Sequence, residues 1–173
     1  MKKSLFMLVV ACFMAIALAA CSDSSDDKAT DNTKKDDTVS TESSDQQYPI
    51  TIKHAFGETV ITEKPERVAT IAWANHDVAI ALGTVPVGFS AANYGMQDDS
   101  GMLPWTAEAL KELGEENPNI YQDTDGLDFE AIADSTPDVI LAAYSGITQE
   151  EYDTLSQIAP VIAYKDVPWV TSW

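Results

Sequence analysis

Positive charge is what this 173-residue chain has least of: ten Lys and Arg stand against 28 Asp and Glu, for a formal net charge of −18. Nucleic-acid binding is dominated by cationic contacts to phosphate, so this balance argues against it. An acidic surface of this kind implies solubility and no more. Histidine is almost as scarce, with His54 and His76 only, and the two cysteines, Cys12 and Cys21, both lie near the N-terminus. That pair builds neither a disulfide framework nor a cysteine-based metal site. Zinc or manganese binding would call for several histidines, and His54 reads as a strand residue beside a turn. There is no G-x-S-x-G elbow to supply a hydrolase nucleophile. Neither G-x-G-x-x-G nor G-x-x-x-x-G-K-S/T occurs, so nucleotide cradling has no support. No carboxylate stands in a context that shifts its pKa legibly. The sequence holds no catalytic set.

The longest apolar run, Leu5 to Ala20, covers sixteen positions, short of the ~20 that span a bilayer as a helix. Lys2 and Lys3 precede it and small residues end it, the pattern of an export signal over residues 1–20. Leu18-Ala19-Ala20-Cys21 resembles the lipobox of bacterial lipoproteins, which implies lipidation of Cys21 and a membrane anchor. Residues 21–47 are Ser, Asp, Thr and Lys with almost nothing apolar. Such a segment buries too little surface to offset its ordering, so a disordered tether is expected. As flexible coil it reaches on the order of 30 Å.

Residues 48–173 carry the folding pattern. Ile50 and Ile52, then Val60 and Ile61, flank Phe56-Gly57-Glu58 and predict a β-hairpin. Val68–Ala72 predicts a buried strand, with Trp73-Ala74-Asn75 as its exit loop and Asn75 as cap of a helix from His76 to Leu82. A second strand through Gly88-Phe89 exits into Ser90–Gly95, and Glu108–Leu113 predicts the next helix. Asn119-Ile120-Tyr121 is a weak third strand. The clearest unit follows, from Gly126 to Gly146. Asp128 caps a short helix, Thr136-Pro137 ends it, and Val139–Ala143 is the continuous apolar run of a doubly covered parallel strand. A helix from Gln149 to Ile158, a strand at Val161–Ala163 and a loop from Tyr164 to Trp173 complete the pattern. Strands alternating with helices at this spacing predict an α/β fold: a mostly parallel sheet with flanking helices, one Rossmann-like lobe preceded by a hairpin.

The carboxyl ends of such strands are where open α/β folds bind ligands. The exit loops hold Trp73, His76, Tyr94, Trp105, Tyr144, Ser145, Trp169 and Trp173. Tyr and Trp offer rigid apolar faces with a polar tip, suited to a ligand of both characters. Among the lobe's cations, Arg67 precedes its strand and faces the wrong edge, leaving Lys165 as the candidate cleft cation. The expected ligand-binding set is therefore Trp73, Tyr94, Trp105, Tyr144, Ser145, Lys165 and Trp169.

Taken in order, Lys64-Pro65-Glu66-Arg67-Val68, Trp73 with Asp77, Ala81-Leu82-Gly83, Pro86-Val87-Gly88, the Gly126–Ala143 unit and Ala159-Pro160-Val161 resemble the iron–siderophore substrate-binding lipoproteins of ABC importers. The resemblance covers Tyr48 to Trp173. It implies two α/β lobes joined by a long rigid helix, of which residues 48–173 match the N-terminal lobe, with the C-terminal lobe absent. It implies capture of a ferric siderophore outside the cytoplasm and its delivery to a permease at the cell membrane, with no cofactor and iron carried as the siderophore complex. The matching position for permease docking is Glu130. With few cations, this half favours a hydroxamate or mixed siderophore held by aromatics over a strongly anionic catecholate, unless the absent lobe brings arginines. Haem or cobalamin binding by the same fold is the alternative ligand class. An exported α/β enzyme with catalytic residues beyond Trp173 is the alternative from another class, and a lipid-anchored interaction domain is the third.

Overall fold

In the computed structural model, residues 48–171 are described, apart from 96, 97 and 124. The segments expected to be a signal peptide (residues 1–20) and a tether (residues 21–47), with Cys21, and Trp173 lie outside the described residues.

A hairpin comes first, β1 (Ile50–His54) against β2 (Gly57–Ile61), antiparallel with His54 opposite Gly57. The turn needs Gly57, whose φ of 128° is strained for any residue with a Cβ. His54 closes the first strand, buried, with Nε2 bonded to the Thr59 hydroxyl at 2.9 Å.

The main sheet follows. Its strands are β3 (Val68–Thr70), β4 (Gly88–Ser90), β5 (Ile120–Tyr121), β6 (Val139–Ala142) and β7 (Val161–Ala163), in the order β5-β4-β3-β6-β7. Every pairing in it is parallel. The helices α1 (Asn75–Ala81), α2 (Pro104–Glu112), α3 (Phe129–Asp134) and α4 (Gln149–Leu155) occupy the crossovers. This is the α/β architecture expected from the alternation of the sequence. The strand order reverses between β3 and β6, and that switch point opens a crevice at their carboxyl ends.

Burial follows from the strand pattern. Ile140 and Ala142 of β6 are fully buried with Ala69, Tyr121 and Ile132, and Val161 joins them. On the opposite face Phe89 packs with Ile80 and Leu110. The hairpin is fixed to the β7 edge by two long-range bonds, Ala55 N–H to the Tyr164 carbonyl at 2.9 Å and the Thr59 hydroxyl to the Val161 carbonyl at 2.6 Å. Phe56 stacks on Tyr152 and meets Tyr164 edge-on across that seam.

Local signals set the helix ends. Asp128 accepts from Ala131 N–H at 2.9 Å and starts α3 as expected. Thr148 and Glu151 form a reciprocal capping box on α4. Arg67 donates to the Ser135 and Thr136 carbonyls at 2.5 and 2.7 Å, closing the far end of α3 and facing away from the strand exits.

Three expectations need correction. Helix α2 begins at Pro104, four residues before Glu108, because proline's fixed φ suits the first helical position. The β3 strand ends at Thr70, and the chain turns at Ala72 with φ 61°. Asn75 does not cap α1: Ala74 holds the cap position at φ 63°, and the Asn75 amide is used elsewhere.

Candidate functional site

All five parallel strands send their exit loops to one cleft of about 640 Å³. From β3 come Ala72 and Trp73; from β4 come Ser90, Asn93 and Tyr94. The segment after β5 contributes Asp123 and Leu127, and β6 contributes Tyr144, Gly146 and Ile147. Trp169, beyond β7, completes the rim. The cleft thus lies at the switch point, where the topology leaves space between diverging crossovers.

The two central loops are tied together by one side chain. Asn75 is buried; its Nδ2 donates to the Ile71 carbonyl at 2.7 Å and the Tyr144 carbonyl at 2.9 Å, while Oδ1 accepts from Tyr144 N–H at 3.0 Å. The β3 and β6 exits therefore cannot separate without leaving buried polar groups unpaired. Between them Trp73 is flanked by two left-handed alanines, Ala72 and Ala74. That backbone costs of order 1–2 kcal/mol at each non-glycine residue. The fold tolerates this to aim one indole. Its buried N–H has no hydrogen-bond partner among the described residues.

The segment after β7 folds back over the β6 exit. Trp169 N–H donates to the Ser145 carbonyl at 3.0 Å, and the Thr171 hydroxyl donates to the Ala143 carbonyl. Trp169 meets Tyr144 edge-on, ring centroids 5.4 Å apart at 77°. Gly146 makes the seat: a Cβ there would stand 2.5 Å from the indole nitrogen of Trp169. Tyr144 and Trp169 are 37% and 48% exposed and Tyr94 is 77% exposed, so all three present ring surface to a ligand.

Of the residues singled out by sequence, Trp73, Tyr94, Tyr144 and Trp169 line the cleft. The other three do not. Ser145 is fully buried and its hydroxyl donates to the Ala142 carbonyl at 2.7 Å, so its part is to hold the loop that seats Trp169. Trp105 lies on α2, with its indole N–H donating to Asp77 at 3.0 Å beside the Thr106 hydroxyl at 2.7 Å. Lys165 is exposed and outside the cleft. His76 is buried in α1 and stacked on Phe89 at 4.8 Å. Burial holds its imidazole below the ordinary value, with Asp77 opposing. Glu130 is exposed in the first turn of α3.

Sequence reasoning passed over Asp123. Its carboxylate accepts from the Ser90 hydroxyl, which itself accepts from Ala72 N–H at 2.8 Å. Burial pushes the Asp123 carboxyl above its usual value; the Ser90 bond and backbone amides pull it down, and the Asp128 charge adds to the rise. Among the described residues no Lys, Arg or His lines the cleft. The site is aromatic, mostly apolar and acidic.

Comparison with known proteins places this arrangement. Residues 68–173 match the family model described as periplasmic binding protein. The crystal structure of PiaA from Streptococcus pneumoniae TIGR4 in complex with ferrichrome superposes with a TM-score of 0.69 and 66% identity, covering 72% of this chain and 41% of that one. SirA of Staphylococcus aureus, complexed with staphyloferrin B, gives a TM-score of 0.54 at 33% identity, covering 68% of this chain and 37% of that one. YhfQ of Bacillus subtilis (strain 168), which carries the name of an ABC transporter substrate-binding lipoprotein, is 27% identical over 168 residues, 96% of this chain and 44% of its own length. This chain therefore spans less than half the length of the relatives it matches.

Proposed function

This chain belongs to the periplasmic binding protein family, and on that premise we propose that it captures a ferric siderophore outside the cytoplasm and delivers it to an ABC importer. The observation that carries this reading is the convergence of five strand exits on one aromatic cleft at the switch point. A rigid cleft lined by Trp73, Tyr94, Tyr144 and Trp169 suits a ligand with an apolar periphery around a polar metal centre. Ferrichrome, the ligand of PiaA, is the first candidate.

Recognition proceeds without turnover. The iron arrives with its oxygen ligands already supplied by the chelator, so the protein needs only to match the outer surface of the complex. Tyr144 and Trp169, held edge-on, offer two ring planes at a fixed angle, and Trp73 offers a third. Residues 48–173 supply one wall of the cleft, as the N-terminal lobe of a two-lobed receptor. Cys21 carries the lipid anchor, residues 22–47 form the tether, and Glu130 on the first turn of α3 meets cationic residues of the permease.

The test is iron-55 uptake from ferrichrome by cells lacking the gene. Restoration of uptake by the complete gene, with recovery of chemically unchanged chelator from the purified protein, is the expected result. Conversion of the chelator by the purified protein would instead make it an enzyme and overturn the reading.

A further inference from the structure

We infer that Asp123 is a specificity-determining residue that selects against negatively charged iron chelates. The inference rests on the siderophore reading above and deepens it.

Asp123 lines the cleft, and no cationic side chain among the described residues lines it with Asp123. Arg67 is engaged at the opposite end of α3, and Lys165 is outside. The second charged group in the lining is another acid, Glu151, one of whose oxygens accepts from Thr148 N–H at 2.7 Å. Desolvating an unpaired carboxylate opposes folding. Burial accordingly pushes the Asp123 carboxyl up, and the Asp128 charge adds to the rise.

The Ser90 hydroxyl and the backbone amides favour the ionised form against burial, but no cation among the described residues lining the cleft requires it. The Ser90 hydroxyl accepts from Ala72 N–H and donates to Asp123, and a neutral Asn oxygen would accept that same bond. The relay does something more specific. It connects the exits of β3, β4 and β5, and so fixes a carboxylate against the cleft wall instead of letting it swing into solvent. A fixed anion in a partly desolvated site acts on whatever charge enters. A neutral chelate feels it weakly, whereas a trianionic chelate is repelled three times over. Discrimination then comes from repulsion of the wrong ligand as well as attraction of the right one.

The test uses the protein expressed from its complete gene, wild type and the variants Asp123→Asn and Asp123→Glu. Each is titrated with ferrichrome as the neutral ferric trihydroxamate and with ferric enterobactin as the trianionic tris-catecholate, at low and high salt. The readout is the ratio of the two affinities. Asp123→Asn should lower the preference for the neutral chelate by about tenfold or more, equivalent to about 1.4 kcal/mol. Asp123→Glu, which keeps the charge, should retain most of it. High salt should narrow the wild-type ratio. A merely structural role would weaken both ligands together and leave the ratio in place, and that result overturns the inference. Wild-type protein binding both chelates equally would also overturn it, while leaving the siderophore reading intact. Wild-type protein binding neither would overturn the siderophore reading and this inference with it.

Discussion

The amide of Asn75 and the peptide of Tyr144 hold one another at both ends: Nδ2 donates to the Tyr144 carbonyl at 2.9 Å and Oδ1 accepts from its N–H at 3.0 Å. A residue at the start of α1 thereby fixes the loop that leaves β6, 69 positions later in the chain. This contact ties together the β3 and β6 exits at the switch point. Asn75→Leu keeps the bulk and loses every bond, stranding the Tyr144 peptide and the Ile71 carbonyl. A loss of about 3 kcal/mol in urea unfolding is expected from such unpaired buried groups.

Gly146 is required by close approach. A single methyl group at this position would press on the Trp169 indole. Gly146→Ala should therefore weaken ferrichrome binding about fivefold to tenfold, the loss of one aromatic contact of about 1 kcal/mol. Isothermal titration checks it, and Gly146→Ala combined with Trp169→Ala should show no further loss attributable to the methyl.

The buried imidazole of His76 makes stability pH-dependent. Its folded pKa lies below the unfolded value of 6.5 because burial disfavours the charged ring. The unfolded chain therefore binds the extra proton first. The contribution is fully present above 6.5 and is lost as pH falls from 6.5 through the depressed folded value. Melting temperatures of wild type and His76→Gln between pH 7.5 and 5 should converge toward the acid end. His54, depressed by the same cause, leaves a residual slope in the variant.

The proposed docking role of Glu130 can be separated from ligand capture. Glu130 is exposed and lies outside the cleft lining. Glu130→Ala should sharply reduce iron uptake in cells while ferrichrome affinity in vitro is retained. The cost to the fold should be about 0.3–1 kcal/mol, its share of the interaction with the α3 dipole. Unchanged uptake would remove Glu130 from the permease contact.

What was legible in the sequence was what neighbours in the chain decide. The unbroken apolar run at Val139–Ala142, the Asp128 cap and the break at Thr136-Pro137 are local effects, and they located β6 and α3. The clustering of Trp73, Tyr94, Tyr144 and Trp169 followed from strand exits alone. The illegible parts depend on distant partners. Asn75 looked like a cap because Asn often is one; its true partner arrives only when β6 pairs with β3. Asp123 was one carboxylate among many until the β4 exit brought Ser90 against it. Ser145 sat in the right loop but turned inward, since its hydroxyl satisfies the Ala142 carbonyl at the strand end. The start of α2 was hidden by an apolar Leu103-Pro104-Trp105 stretch with no polar cap.

We propose that the aromatic cleft at the β3–β6 switch point holds a ferric siderophore. The most direct test is a ferrichrome titration of the complete protein alongside Trp73→Ala and Trp169→Ala. Saturable one-to-one binding by wild type is expected, with a loss of roughly 2 kcal/mol or more in each variant, as for aromatic anchors that a ligand covers. Wild-type affinity in both variants would contradict it and move the ligand away from this cleft.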